Sequence, residues 1–67
     1  MTIAQAMAAL EISMAESRRG LIVRLRQAGA SPVRIALAME EVRKAEDRTR
    51  TRTRARILAA LAADGAA

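Results

Sequence analysis

The sequence predicts an all-α fold, an antiparallel two-helix hairpin that dimerises into a four-helix bundle. Apolar residues recur at spacings of three and four over two long stretches, and a Gly-Ala-Ser-Pro segment separates them. Alanine is abundant, which favours helices that pack closely. A chain of 67 residues without Phe, Tyr or Trp has few large side chains for a core. We therefore expect a single helical-hairpin domain that covers its remaining apolar surface by forming a homodimer.

The first helix is predicted over about residues 3–28. Thr2 and Gln5 have the spacing of a capping box, in which threonine caps the first turn and glutamine reaches back. Gly29 suits the position just after a helix, where the backbone turns left-handed. The helical stripe between these ends is close to a heptad seam. It consists of Ile3, Met7, Leu10, Met14, Ser17, Leu21 and Leu25.

The second helix is predicted over about residues 32–62, after a turn at 29–31 and before a frayed tail at 63–67. Ser31 is a good N-cap, and Pro32 fits the first helical turn, where no backbone donor is needed. Because the turn is short, the helices are antiparallel, and positions whose numbers sum to about 60 face each other. The second stripe, which Glu46 interrupts, contains Ile35, Met39, Val42, Thr49, Thr53, Ile57 and Ala60 or Leu61.

Composition argues against several classes of function. Without Cys or His, a disulfide framework and the usual zinc, haem and iron–sulfur sites are excluded, and most nucleophile–base pairs are missing. We expect a protein that is not an enzyme and needs no metal or cofactor. No uncharged stretch approaches the roughly 20 residues of a membrane span, and residues 1–10 lack the basic start of a signal peptide. We therefore expect a cytoplasmic protein with no membrane partner.

The segment RTRTRTRAR, residues 48–56, alternates arginine with small residues. On a helix it forms two arginine rows that flank the apolar stripe, and Arg43 and Lys44 extend them. Like charges one turn apart destabilise a helix, and local acids can serve only part of the tract. A net charge of +5, carried mainly by arginine, favours phosphate binding. The predicted nucleic-acid-binding residues are Arg43, Lys44, Arg48, Arg50, Arg52, Arg54 and Arg56.

The leading hypothesis is thus a small regulator or accessory protein that binds DNA or RNA through an arginine-rich helix face. The alternative is a helical adaptor or inhibitor that binds an acidic partner protein through the apolar surface near the turn, formed by Ile22, Val23, Val33 and Leu37. The same apolar surface is where a second hairpin would dock. The predicted interface residues are Ile12, Ile22, Val23, Val33, Leu37 and Leu58, four of which gather near the turn.

Other interpretations of the sequence stay open. The arginine tract is compatible with a solvated basic face, with a β-ribbon as in ribbon-helix-helix repressors, or with binding to anionic membranes. The stretch QAGASPVRIALAME resembles the start of a helix-turn-helix, although residues 33–63 contain no further turn signal. The layout also resembles the Rop-type plasmid copy-number regulators, hairpins that dimerise into a four-helix bundle and bind RNA. That resemblance covers length and layout only, so no functional residue is transferred.

Overall fold

The protein is an antiparallel helical hairpin in a computed structural model that describes residues 1–66, and side chains over residues 1–65. Helix α1 spans Ile3–Gln27 and helix α2 spans Pro32–Ala66, and the two helices contact each other. The described residues contain no strand, so the all-α prediction is confirmed. The hairpin measures 54 × 18 × 14 Å. Its radius of gyration is 16.0 Å, against about 11 Å for a compact domain of this length.

Local sequence signals account for both ends of α1. The Thr2 hydroxyl accepts a hydrogen bond from the Gln5 amide at 3.1 Å, and the Gln5 side chain accepts one from the Thr2 amide at 2.8 Å. The predicted capping box is therefore confirmed. At the other end Gly29 has φ = 78°, and the amides of Gly29 and Ala30 bond to the carbonyls of Arg26 and Leu25. This Schellman motif ends the helix one residue earlier than predicted.

Helix α2 begins where the sequence predicts and ends later. The Ser31 hydroxyl accepts a hydrogen bond from the Arg34 amide at 3.2 Å, which satisfies one donor of the first turn. The prediction of a frayed tail from residue 63 is wrong as far as Ala66, because α2 is helical to that residue. Alanine predominates there, and one aspartate and one glycine lower helix propensity without removing a backbone hydrogen bond. Residue 67 of that tail lies outside the described residues.

The core of the hairpin is thin. Met14, at 9% exposure, is the one buried residue in the part of the chain that the structure describes. Ser17, Ala60 and Leu61, expected in the stripes, are exposed, while Arg18 is half-buried. The other seam residues are half-buried. They are Ile3, Met7, Leu10, Leu21 and Leu25 in α1 and Ile35, Met39, Val42, Thr49, Thr53 and Ile57 in α2.

Candidate nucleic-acid interface

The arginine tract at residues 48–56 lies entirely within α2, so the β-ribbon interpretation is wrong. Two of its three threonines donate hydrogen bonds back to the preceding turn. The Thr49 hydroxyl donates to the Ala45 carbonyl at 3.0 Å, and the Thr51 hydroxyl donates to the Asp47 carbonyl at 3.1 Å. Thr49 and Thr53 are half-buried and Thr51 is exposed, as a helix with small residues on its inner face requires.

A chain of ion pairs runs along α2 and crosses to α1. Arg43 binds Glu40 at 2.7 Å and Asp47 at 3.1 Å. Asp47 also accepts from Arg50 at 2.8 Å. The Arg50 guanidinium then bridges the helices, with Nε 2.7 Å and Nη2 2.9 Å from the two oxygens of Glu11. The rule that facing positions sum to about 60 gives position 49 for Glu11, one residue from its observed partner Arg50.

The same network continues into the seam through Glu46. This carboxylate, the acid that interrupts the apolar stripe, has a side chain only 11% exposed. Arg18 donates to it from Nε at 3.1 Å and from Nη2 at 2.9 Å, while Arg50 Nη2 lies 3.8 Å away. Sequence reasoning missed Arg18. The signal was available, because an acid on a packed seam needs a basic partner from the facing helix.

Hydrogen bonding within this network shifts the pKa values of its members. The Arg50 guanidinium lowers the pKa of Glu11, first by hydrogen bonding and then by its charge. Arg43 lowers the pKa of Glu40 in the same way. The pKa values of Arg43 and Arg50 are raised in return, chiefly by their hydrogen bonds to Glu40 and Glu11. All four groups are therefore charged at neutral pH. We call the seven linked residues the ion network; they are Glu11, Arg18, Glu40, Arg43, Glu46, Asp47 and Arg50.

The structure divides the seven predicted nucleic-acid-binding residues into two groups. Arg43 and Arg50 belong to the ion network, and Lys44 pairs with Glu41 at 3.3 Å. The other four are exposed, and none forms an ion pair with any residue in the described part of the chain. We call these four the C-terminal arginines; they are Arg48, Arg52, Arg54 and Arg56.

Four more exposed arginines have no ion-pair partner within residues 1–65, and sequence reasoning did not single them out. Arg19 lies in the second half of α1. Arg24 and Arg26 occupy the last turn of α1, where positive charge interacts favourably with the helix dipole. Arg34 lies in the first turn of α2. We call Arg24, Arg26 and Arg34 the turn arginines. The shortage of acids near them was the signal that could have found them.

Two of the six predicted interface residues share a depression near the turn. Val33 is 71% exposed and Leu37 is 66% exposed, and both line an open depression with Ser31, Arg34, Ala38 and Glu41. Val23 is exposed and Ile22 is half-buried, and neither lines that depression. Ile12 and Leu58 are exposed too. They lie in the half of the hairpin away from the turn.

Comparison with protein-family models, with curated proteins and with solved structures found no match for this chain. No helix over the described residues is long and apolar enough to cross a membrane. Within the same part of the chain, no three His, Cys, Asp or Glu side chains are grouped as a metal ion would require.

Proposed function

We propose that the protein is a small non-enzymatic regulator or accessory protein that binds nucleic acid through the C-terminal arginines. One observation carries the proposal. Beyond the first turn of α2, every other cation of this helix is paired with an acid. The four guanidinium groups of the C-terminal arginines are exposed, and they have no ion-pair partner among the described residues. An external polyanion would supply the missing negative charge.

The energetics of the segment support this proposal. Arg48 and Arg52, and Arg52 and Arg56, are like-charge pairs at i, i+4, and each such pair costs a few tenths of a kcal/mol. Threonine lowers helix propensity further. Phosphate groups would offset the repulsion and accept the bidentate hydrogen bonds that guanidinium groups offer.

The spacing of these arginines favours contact with a phosphate backbone. Residues four apart on a helix are about 6 Å apart along its axis. Such contacts would give affinity with little base discrimination, and a binding constant that depends on salt. The chain has no aromatic side chain on which a base could stack, so we favour duplex DNA or structured RNA over single strands.

The paired cations take a secondary part in this proposal. Arg43, Lys44 and Arg50 already have acidic partners at 2.7–3.3 Å. Their charge is largely neutralised before any ligand arrives. We expect them to contribute less to binding than the C-terminal arginines, and Arg50 to hold α2 against α1.

The proposal includes a homodimer, with two hairpins forming a four-helix bundle. Its support is the exposed surface of 5166 Å². A folded monomer of this mass exposes about 4,100 Å². A thin core with an excess of surface is the usual condition for association.

The first test is binding to a labelled mixed-sequence DNA duplex and to a structured RNA, followed by fluorescence anisotropy at several salt concentrations. We expect the triple variant R52A/R54A/R56A to bind at least tenfold more weakly. The slope of log K against log salt should fall by about 3, since each phosphate contact contributes about 0.9. The difference between the two probes identifies the preferred nucleic acid.

The matched control is R24A/R26A/R34A, which removes the same charge from the turn arginines. We expect a smaller loss of affinity than in R52A/R54A/R56A. Equal losses of affinity in the two triple variants would mean that binding depends only on the net charge of the protein. That result would contradict the proposed site. Absence of binding at low salt by the folded wild type would reject the function.

A second candidate function rests on the exposure of Val33 and Leu37. This apolar depression, which Arg34 and Glu41 also line, fits an amphipathic helix of a partner protein. Loss of biological activity in a folded Leu37→Asp variant, with activity kept in R52A/R54A/R56A, would favour this adaptor function.

A further inference from the structure

Several exposed arginines share one side of the hairpin. Ser13 and Ala45 line a groove between the two helices, and we call the side on which this groove opens the groove side. Arg52 follows Ala45 by about two helical turns, so it projects from α2 on the groove side. Arg56 has the same relation to Thr49, which also lines the groove. Two of the C-terminal arginines therefore project on this side.

The turn end of the hairpin adds two more arginines to the groove side. Arg24 lines the groove at its end nearer the turn. Arg34 precedes Ala45 by about three complete turns of α2 and precedes Arg52 by five. Its side chain therefore projects in the same direction as that of Arg52, about 27 Å away along the helix axis. Arg24 and Arg34 are exposed, and neither has an ion-pair partner among the described residues.

Two further unpaired arginines in this half of the molecule project in other directions. Arg26 is about 200° from Arg24 around α1, and Arg19 is about 140° from it. Both are exposed. The half of the hairpin near the turn thus offers two arginines on the groove side and, for comparison, two of the same charge away from it.

Acidic side chains leave the groove side positively charged. Glu46 at the seam is bound by Arg18 at 2.9 Å, and Glu41 is bound by Lys44 at 3.3 Å. Glu16 is exposed and projects away from α2. The unpaired arginines on this side therefore keep their charge available to an external anion.

We propose that a nucleic-acid duplex lies along the groove side and contacts both ends of it. The inference rests on the proposed function and gives its ligand an orientation and a minimum length. The C-terminal arginines remain the main contact, and Arg24 and Arg34 provide a second contact at the turn end.

The distance between the two contacts favours a duplex over a single strand. A DNA duplex is straight over this length, because its persistence length is about 50 nm. It advances about 34–36 Å per turn and presents both of its backbones within each turn. Two groups of cations about 27 Å apart can therefore reach phosphates of both strands. A flexible single strand would have to be straightened, and the chain has no aromatic side chain to hold its bases.

The surface between the two contacts allows a duplex to approach. Ser13, Ser17 and Ala45 are small and exposed there. Serine hydroxyls donate hydrogen bonds to phosphate oxygens without adding a charge. Glu11 and Asp47 are each two residues from one of these positions and so lie on the opposite side. Their exposed carboxylates make that side less favourable for a phosphate backbone.

The test is anisotropy with a labelled mixed-sequence DNA duplex of about two helical turns. R24A/R34A is compared with R19A/R26A, because each variant removes two exposed arginines and one of them comes from the last turn of α1. We expect R24A/R34A to bind about fivefold more weakly, with a slope of log K against log salt lower by about 1.8. R19A/R26A should lose less than about twofold, since its arginines make no phosphate contact. Circular dichroism should show unchanged helicity, because alanine replaces exposed side chains.

Protection of a single thiol measures the orientation of the duplex independently. The protein has no cysteine, so Ala45→Cys introduces one thiol on the groove side between the two contacts. Ala36→Cys is the matched control, because Ala36 is exposed and projects about 180° from Ala45 on the same helix. A saturating duplex should slow maleimide labelling of Ala45→Cys severalfold and leave the labelling rate of Ala36→Cys unchanged.

The outcomes separate this inference from the proposed function. Equal losses of affinity in R24A/R34A and R19A/R26A, or equal protection of the two thiols, would overturn the inference. If R52A/R54A/R56A still weakens binding in that case, only the second contact and the orientation are wrong. A folded wild type that binds no duplex at low salt would reject both the inference and the proposed function.

Discussion

The two halves of α2 use arginine in different ways. Between residues 40 and 50, Arg43 and Arg50 each bind at least two carboxylates and belong to a network that reaches α1. Arg48 and the arginines beyond residue 50 are exposed, and none of them has an ion-pair partner in the described chain. The same residue type thus joins the two helices in one stretch and, in the other, has no ion-pair partner among the described residues.

The facing helix explains the difference. Arg50 lies opposite Glu11, which is the acid of α1 nearest to the N-terminus of that helix. Residues 1–10, which face α2 beyond that point, contain no charged side chain. Arginines at positions 52–56 therefore receive no carboxylate from α1, and α2 supplies none between Asp47 and Asp64.

Breaking the network at its least exposed point should have the largest effect on stability. Arg18→Ala leaves the Glu46 carboxylate, 11% exposed, without its bidentate donor. We expect a loss of about 1–3 kcal/mol in the free energy of unfolding. Urea denaturation at fixed protein concentration measures it. The double variant Arg18→Ala/Glu46→Leu should recover most of the loss, and a failure to do so would assign the effect to packing of the Arg18 stem.

One type of substitution, made in each half of α2, should change stability in opposite directions. Arg50→Glu puts a carboxylate beside Glu11 and Asp47 and should lower the midpoint of thermal unfolding by roughly 5 °C. Arg52→Glu removes two repulsive i, i+4 pairs, one with Arg48 and one with Arg56. Each is replaced by an attractive pair, so this variant should be more stable than wild type by up to about 1 kcal/mol.

Thermal unfolding followed by circular dichroism compares the two variants. Arg52→Glu should also weaken nucleic-acid binding, so that stability and affinity change in opposite senses at one position. Equal signs for the two stability changes would remove the distinction between the halves of α2.

Acid should lower the stability of the hairpin in a defined pH range, because it protonates Glu11 and Glu40 of the ion network. The pKa values of Glu11 and Glu40 in the folded chain lie below their ordinary value of 4.5. As pH falls below 4.5 the unfolded chain takes up protons first, so unfolding becomes more favourable. The stabilisation is complete above that pH and is lost as pH falls through the lowered pKa values. Thermal unfolding across this range should show less pH dependence in Glu11→Gln/Glu40→Gln than in wild type.

Much of the fold was predictable because its signals are local. The capping box of Thr2 and Gln5, the left-handed Gly29 and the Ser31 cap are each recognisable within a few residues. The i, i+3 and i, i+4 pairs of Asp47 with Arg50 and Arg43 follow from helix geometry alone. The extension of α2 to Ala66 was missed, because a lone glycine near a helix end marks a stop in some helices and is tolerated in others.

The sequence by itself determined the two helices and their caps. It also determined the register between the helices, in which Glu11 lies opposite the start of the arginine tract. Only the tertiary structure decided that Arg18 reaches Glu46 across 28 positions of sequence, and which arginines keep no partner in the described chain. It also decided that a groove lined by Met14, Leu21 and Val42 opens beside the Arg18–Glu46 ion pair. The physical reason is that these features depend on how far each helix is rotated about its axis and on the reach of long side chains. Neither quantity is fixed by the spacing of residues along one helix.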